Sequence, residues 1–185
     1  MFYQPFHEIF PNIAEAKTRN ITPLNNPILP KGQYFFSPAY CKDKKCDCRR
    51  TLINVIHMPS IESANIVATI SYGWEPMSFY RNWGSYLSEA MLREFKGPVL
   101  DKMQPQSAHA PYFLNFFKQE LMKDAAYMER IQRFYAYAKV KQKMSLPKEL
   151  SRLVNYDEDC PCESGRPLGK CCLKKTRRLK RRNKW

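Results

Sequence analysis

The chain contains few glycines and no long apolar run, and both shortages exclude classes of protein. With six glycines and no glycine-rich loop to cradle a phosphate, the sequence does not indicate a nucleotide hydrolase. No run of about 18 apolar residues is present, so a transmembrane helix is excluded. A G-x-S-x-G elbow is also absent, and Ser107 beside His109 is therefore not assigned as a nucleophile. An enzyme is thus the less favoured interpretation.

A secretory signal is lacking as well. Residues 1–10 include His7 and Glu8 and have neither a basic start nor an apolar segment. We therefore expect a cytoplasmic, reducing environment, in which clustered cysteines are more often metal ligands or reactive thiols than disulfides.

Acidic residues are missing from one end of the chain. Residues 164–185 carry ten Lys/Arg and no Asp/Glu, whereas residues 1–163 carry 21 Lys/Arg against 17 Asp/Glu. The net charge of +14 is therefore concentrated in a tail, and the body of the protein is only mildly basic. A length of 185 residues suits one domain with a small appendage.

The body combines strand and helix patterns. Residues 33–40, 51–58 and 65–72 are rich in aromatic and β-branched side chains, which indicates three consecutive strands in an antiparallel meander. Residues 1–32 hold five prolines, and we expect an irregular or partly helical lead-in that wraps on the core.

After Gly73 the apolar spacing changes to three or four residues, which is typical of helices. The spacing predicts a helix from Phe79 to Phe95 that ends at Gly97-Pro98. A second helix is predicted from Phe113 to Leu121 and a third from Tyr127 to Val140, with Asp124 as the N-cap of the third. The predicted fold class is α+β, with a small antiparallel meander sheet packed by about three helices.

Four of the seven cysteines fall within residues 160–172, in the spacing C-x-C-x8-C-C. Each close pair can supply two ligands of a tetrahedral zinc site, and Gly165 and Gly169 permit the turns between the pairs. Disulfides or free thiols are the alternative, but neighbouring Cα atoms lie only about 3.8 Å apart, which would strain a bridge within the second pair. We predict a zinc site formed by Cys160, Cys162, Cys171 and Cys172.

This stretch resembles the SEC-C zinc motif, found at the C-terminus of the SecA translocation ATPase and in many small bacterial proteins. Cys160, Cys162, Ser164-Gly165 and Cys171-Cys172 carry the match, which covers a short part of the chain. Glu163 lies where the family commonly has glycine, so a slightly different first turn is expected. The resemblance implies docking to protein or ribosomal partners.

A second cysteine group, C-x4-C-x-C, lies in the polar loop between the first two predicted strands. Cys41, Cys46 and Cys48 can supply three ligands of a second zinc site. The alternatives are thiols without a metal, or redox-reactive thiols whose pKa values are lowered by neighbouring basic side chains. Those side chains are Lys42, Lys44, Lys45, Arg49 and Arg50.

No fourth ligand for this loop is evident. A straight strand would carry His57 roughly 30 Å from Cys48, at about 3.3 Å per residue, which argues against it. His7, His109 and Asp47 remain as candidates, and water is another.

A wider resemblance is to bacterial proteins without an established activity that also end in SEC-C motifs. Residues 40–50, 72–75 and 100–107 carry this resemblance, and it implies no particular chemistry.

The basic tail is the other candidate for function. Dense positive runs bind phosphate backbones with little sequence selectivity, and this binding weakens steeply with salt. A solubilising tail without a partner is the alternative, and neither an apolar face nor a lipidation motif supports a membrane surface. The candidate nucleic-acid contacts are Lys174, Lys175, Arg177, Arg178, Lys180, Arg181, Arg182 and Lys184.

The chain is therefore divided into an α+β domain (1–146), a linker (147–159), a zinc knuckle (160–173) and a basic tail (174–185). Three hypotheses about function result. The first is a non-enzymatic zinc-binding accessory protein that binds RNA or the ribosome through the tail. The second is an adaptor whose knuckle docks an acidic chaperone or translocation partner. The third is a redox or metal-dependent activity at the loop of residues 41–48.

Overall fold

The computed structural model describes residues 3–60, 62–144 and 146–174. It shows an α+β protein in which six antiparallel strands form one sheet and several helices pack against it. The predicted fold class is therefore confirmed. Within the described residues, no helix is both long and apolar enough to cross a membrane.

Two short strands begin the sheet. β1 (Tyr3–Pro5) and β2 (Arg19–Ile21) pair with two parts of the same edge of the next strand. Between them lie α1 (Phe6–Ile9) and α2 (Pro11–Lys17). The lead-in is thus partly helical, as predicted, but its two strands were missed, because three residues are too few to show an alternating pattern.

The predicted meander follows. β3 (Gln33–Cys41), β4 (Arg50–Ser60) and β5 (Ser63–Gly73) pair in sequence, and β6 (Val99–Leu100) pairs with the far edge of β5. Each long strand covers its predicted range. Their aromatic and β-branched residues fit a pleated surface on which at least one face is buried.

The first predicted helix is interrupted. α3 (Met77–Trp83) and α4 (Glu89–Lys96) replace the single helix expected from Phe79 to Phe95. Gly84 ends α3, and the Ser88 hydroxyl accepts a hydrogen bond from the Met91 N–H at 3.3 Å as the N-cap of α4. A local capping signal therefore outweighed the continuous apolar spacing.

The other predicted helices are present. α5 (Ala110–Gln119) is followed by a short 3-10 turn and by α6 (Ala125–Lys141). Asp124 is the N-cap of α6, as predicted, because its Oδ1 accepts from the Tyr127 N–H at 3.0 Å. A single turn, α7 (Lys148–Ser151), then precedes the knuckle.

The buried side chains form two apolar clusters. The first lies between the sheet and α5 and includes Phe36, Ile53, Ile70, Phe113 and Phe117. It therefore fixes which face of the sheet is covered by that helix.

The second cluster joins α1, α2 and α6 to the C-terminal cysteines. The rings of Phe6 and Phe134 stack with 4.1 Å between their centroids, and Cys160, Leu168 and Leu173 belong to the same cluster. The knuckle is therefore packed against the body of the protein.

Candidate metal centres

The knuckle brings its four cysteine sulfurs together. The Sγ atoms of Cys160, Cys162, Cys171 and Cys172 lie within 4.8 Å of one another, and those of Cys162 and Cys171 are 3.6 Å apart. All seven cysteines are free, whereas a disulfide needs an S–S distance of about 2.05 Å. The four residues predicted as ligands can therefore hold one metal ion between them.

A short hairpin and one 3-10 turn create this geometry. Asp159 bridges to Pro167, and the Cys160 N–H donates to the Arg166 carbonyl at 2.9 Å. Gly165 lies in this hairpin with a φ of 67°, a conformation that glycine adopts without strain. The 3-10 turn Leu168–Lys170 then leads directly into the second cysteine pair.

Two residues of the knuckle, Gly169 and Glu163, differ in their surroundings and in their backbone conformation. Gly169 lies against Tyr156, since a Cβ added to it would be 3.0 Å from the Tyr156 Cβ. Glu163 has a φ of 61° although it is not glycine, and its carboxylate pairs with Lys17 at 2.6 Å. The exposed pair links the first turn of the knuckle to the end of α2.

The knuckle is docked on the body of the protein. Leu168 is fully buried and Leu173 nearly so. On the surface side of this contact, Lys141 of α6 donates from Nζ to the Cys172 carbonyl at 2.9 Å. Apolar burial and one charged hydrogen bond therefore fix the position at which the basic tail begins.

The four thiols of the knuckle differ in acidity. Burial acts to raise the pKa of Cys162, but hydrogen bonds from Ser164 and Cys160 outweigh it and lower this pKa to about 6. Burial, together with hydrogen bonds to the Cys160 and Cys162 sulfurs, raises the pKa of Cys172. A metal ion needs all four as thiolates, so metal binding releases protons here.

The second cysteine group is also assembled. The Sγ atoms of Cys41, Cys46 and Cys48 lie within 4.8 Å of one another, and Cys41 and Cys48 are buried. Cys41 is the last residue of β3, and the carbonyl of Asp43 accepts from the Cys46 N–H at 3.2 Å to close the loop. These three thiols can hold a metal ion, with one position of a tetrahedron left for another ligand.

A buried lysine from α6 holds this loop in place. Lys139 is 2% exposed, and its Nζ donates to the carbonyls of Cys46 at 2.8 Å and Cys41 at 3.3 Å. Among the described residues, no carboxylate lies within ion-pair distance of it. Because a buried cation is stabilised by a nearby anion, the Lys139 ammonium favours the thiolate forms of the three neighbouring cysteines.

This lysine was not predicted as part of the site. The sequence signal is a basic residue on the apolar side of α6, four residues after Tyr135, whose ring Lys139 Nζ approaches to 5.1 Å. Such a position is unusual for lysine and indicates a buried polar partner.

Arg49, the basic residue directly after the loop, has other partners. Arg49 donates to Asp47 at 3.1 Å and to Glu75 at 3.0 Å, and it lies 3.6 Å from Glu149. Its φ of 44° turns the chain into β4. Arg49 was one of five basic side chains suggested as causes of low thiol pKa values, and its guanidinium instead neutralises carboxylates.

The acidity of the loop thiols arises mainly within the group itself. The pKa of Cys41 is lowered because the thiols of Cys46 and Cys48 donate hydrogen bonds to its sulfur. Hydrogen bonds to the Cys41 and Cys46 sulfurs, followed by burial, raise the pKa of Cys48. The three thiols are therefore within hydrogen-bonding reach of one another before any metal is bound.

The candidate fourth ligands lie elsewhere or are engaged. His57 stacks on Tyr34 and contacts the Lys31 carbonyl at 3.0 Å, near the opposite end of β4. His7 lies 3.3 Å from the Ser37 hydroxyl. Neither histidine joins the three cysteines in the described part of the chain.

The remaining two candidates do not complete the group either. His109 precedes α5, makes no side-chain capping bond there, and does not join the three cysteines in the described residues. Asp47 lies in the loop, but its Oδ1 accepts from the Tyr135 hydroxyl at 3.1 Å and its Oδ2 from Arg49. Water or an external ligand is therefore left for the fourth position.

Most of the predicted nucleic-acid contacts lie outside the described residues. Lys174 is described, and its N–H donates to the Cys171 carbonyl at 3.2 Å. The predicted contacts beyond it are Lys175, Arg177, Arg178, Lys180, Arg181, Arg182 and Lys184.

The resemblance to the SEC-C motif stays a prediction, because it rests on the residue spacing within 160–172. No protein-family model, no curated protein and no solved structure matches this chain.

Proposed function

We propose that this protein is a non-enzymatic, zinc-binding accessory protein that binds RNA, such as ribosomal RNA, through its basic C-terminal tail. The observation that carries the proposal is the four-sulfur cluster of the knuckle, docked on the body of the protein immediately before the tail. A cytoplasmic location belongs to the proposal, since reduced cysteines are needed as ligands.

Zinc is the ion that best suits the knuckle. Zn–S bonds of about 2.3 Å in a tetrahedron space the sulfurs about 3.8 Å apart, close to the 3.6 Å between Cys162 and Cys171. Iron–sulfur chemistry is the other use of four thiolates, and it would colour the protein. We assign a second zinc to Cys41, Cys46 and Cys48, with water as the fourth ligand.

The tail suits RNA because of its charge and its attachment. Eight of the residues from 174 to 184 are basic, and residues 164–185 hold no Asp/Glu. A polyanion gains affinity from such a run mainly by counterion release. Burial of Leu173 fixes the start of the run, which reduces the entropy lost when the tail binds.

Metal content tests the zinc part of the proposal. We expect two zinc ions per chain by mass spectrometry of the purified protein, and no visible absorbance from iron. A Cys160→Ser, Cys162→Ser variant and a Cys41→Ser, Cys46→Ser variant should each retain one. Two zinc ions in the second variant would exclude the loop as a zinc site.

Ribosome and RNA co-sedimentation tests the tail. Removal of residues 175–185 should abolish association, and replacement of the basic residues of the tail by Gln should do the same. A matched control changes only Thr176, Leu179 and Asn183 to Ala and should bind like the unaltered protein. Association that survives both basic-residue variants would contradict the proposal.

Nuclease treatment separates RNA from a protein partner. The resemblance to the SEC-C motif supports either one, and salt weakens both. A captured partner that is lost after ribonuclease treatment supports RNA binding, whereas a partner that remains would favour an adaptor docked through the knuckle.

A further inference from the structure

A cavity of about 570 Å³ lies on the face of the sheet opposite α5. Cross-strand partners share a face of a sheet, and Leu52 lies opposite both Ala39 and Ser71. Leu52 and Ser71 line the floor of the cavity, and Phe95 of α4 and Val99 of β6, which lies opposite Ser71, line its walls. A cavity of this size accommodates a small organic molecule.

The cavity neighbours the loop cysteines. Tyr3 lines it, and Tyr3 lies directly opposite Cys41 in the pairing of β1 with β3. The cavity and Cys41 therefore lie on the same face of the sheet.

Arg50 supplies a buried positive charge to this cavity. Its side chain lines the cavity although the residue is only 6% exposed. Nη2 donates to the Ser71 hydroxyl at 2.5 Å, and Nε has no hydrogen-bond partner among residues 3–60, 62–144 and 146–174. The Phe95 and Tyr3 rings have their centroids 4.1 and 5.6 Å from Cζ.

These contacts leave the charge of Arg50 without a matching anion. Aromatic rings attract the faces of a guanidinium, but its N–H donors lie in the plane of the group and need acceptors. In the part of the chain that the structure describes, no carboxylate is within ion-pair distance of Arg50. A buried, hydrogen-bonding cation of this kind is most simply completed by an anionic ligand.

The two acidic residues of the cavity wall already have partners at its mouth. Glu94 pairs with Lys102, and both side chains are substantially exposed. Asp101 accepts from the Met103 N–H at 2.8 Å through Oδ1. The deep charge of the cavity is therefore positive, whereas its rim, with two carboxylates and one lysine, is slightly acidic.

We propose that this cavity binds a small organic monoanion with an apolar body, such as an aromatic or medium-chain carboxylic acid, whose anionic group pairs with Arg50. Leu52, Val99 and Phe95 would cover the apolar body. The exposed Met91 and Met103 at the mouth can adapt to its shape. The proposal does not rest on zinc or RNA binding.

A matched pair of fluorescent probes tests the proposal on the full zinc-loaded chain. Anilinonaphthalene sulfonate has the required anion and apolar body, and phenylnaphthylamine is the same molecule without the sulfonate. We expect one sulfonate probe per chain. Arg50→Met should weaken it about tenfold or more, because charged hydrogen bonds are lost, and should change the neutral probe less than twofold.

Two control variants separate charge from shape. Lys102→Met removes the exposed basic residue at the mouth and should change both affinities less than twofold. Val99→Trp should weaken both probes, because the larger ring fills the cavity. Equal effects of Arg50→Met on the two probes, or binding that survives Val99→Trp, would overturn the proposal.

A measurement on the unaltered chain does not depend on the folding of any variant. Decanoate should displace the bound sulfonate probe, whereas decyltrimethylammonium, which has the same chain and opposite charge, should not. Equal displacement by the two would also overturn the proposal. Unchanged zinc content and RNA association during these titrations would show that the outcome is separate from the proposed function.

Discussion

The two cysteine groups of this protein are built differently but are held by the same helix. The knuckle takes four ligands from one segment of thirteen residues, 160–172. The loop takes three from the end of β3 and the turn that follows. Two neighbouring stripes of α6 contact them: Tyr135 and Lys139 contact the loop, whereas Lys141 contacts the knuckle.

This difference indicates how far the folding of each cysteine group depends on a metal ion. Residues 156–174 contain only a single 3-10 turn and one isolated bridge, so a metal ion would supply most of the order within the knuckle. The loop instead lies between β3 and β4, which pair from Gln33–Met58 to Ala39–Leu52, and a buried lysine already holds two of its carbonyls. We therefore expect the knuckle to depend on zinc for folding and the loop to depend on it less.

Replacement of one cysteine in each group should give the largest difference in stability between the knuckle and the loop. Cys160→Ser should remove the knuckle zinc and lower the free energy of unfolding by on the order of 4 kcal/mol, because the metal and the packing of Leu168 and Leu173 are lost together. Cys46→Ser should cost about 2 kcal/mol. Urea denaturation with zinc present measures both.

Limited trypsin digestion locates the damage. Cleavage after Arg152 and Lys170 should accelerate in the Cys160→Ser variant, while the Cys46→Ser variant keeps its protection there. Equal protection in the two variants would show that the knuckle folds without zinc.

The two lysines of α6 provide the next test. Lys139→Met should lower the free energy of unfolding by about 2–3 kcal/mol, because buried carbonyls lose a charged donor. It should also weaken zinc at the loop and not at the knuckle. Lys141→Met removes an exposed donor to the Cys172 carbonyl and should cost under about 1 kcal/mol.

Competition with a zinc chelator, read as two separate release steps, distinguishes the loop from the knuckle in both variants. Zinc weakened at both groups by Lys139→Met would contradict the assignment of this lysine to the loop alone.

The amino-acid pattern predicted the long elements and the clustering of the cysteines, and the reason lies in their local signals. β3, β4 and β5 carry enough β-branched and aromatic residues to be identified, and the spacing of the knuckle cysteines defines a cluster by itself. Asp124 was found because an N-cap acts within three residues.

The missed features depend on contacts between distant segments. Lys139 is 98 residues from Cys41 along the chain, and Arg50 faces a cavity formed by β1, α4 and β6. The spacing of residues along the sequence gives no information about such contacts between distant segments. The strands β1 and β2 were missed for the same reason, since their pairing with β3 alone makes them strands.

Tyr135 and Tyr137 of α6 allow the same comparison as the two lysines, with a smaller expected effect. The Tyr135 hydroxyl donates to Asp47 of the loop at 3.1 Å, and the Tyr137 hydroxyl donates to Glu158 before the knuckle at 2.6 Å. Each Tyr→Phe change should cost about 1–1.5 kcal/mol, because a carboxylate loses one donor. Chelator competition should show weaker zinc at the loop only for Tyr135→Phe, and a loss at the knuckle in that variant would contradict the pairing.

Two positive-φ residues give the smallest and most selective test. Glu163 in the knuckle has a φ of 61° and only an exposed pair with Lys17, so Glu163→Gly should stabilise the protein by about 0.5–1 kcal/mol. Arg49 has a φ of 44°, but its side chain joins Asp47 and Glu75, so Arg49→Gly should destabilise it instead. Thermal melting of the zinc-loaded variants measures both signs. Stabilisation by both substitutions would mean that backbone strain at Arg49 outweighs its ion pairs. Relief of strain would then dominate at the loop as it does at the knuckle, and the two groups would not differ in this respect.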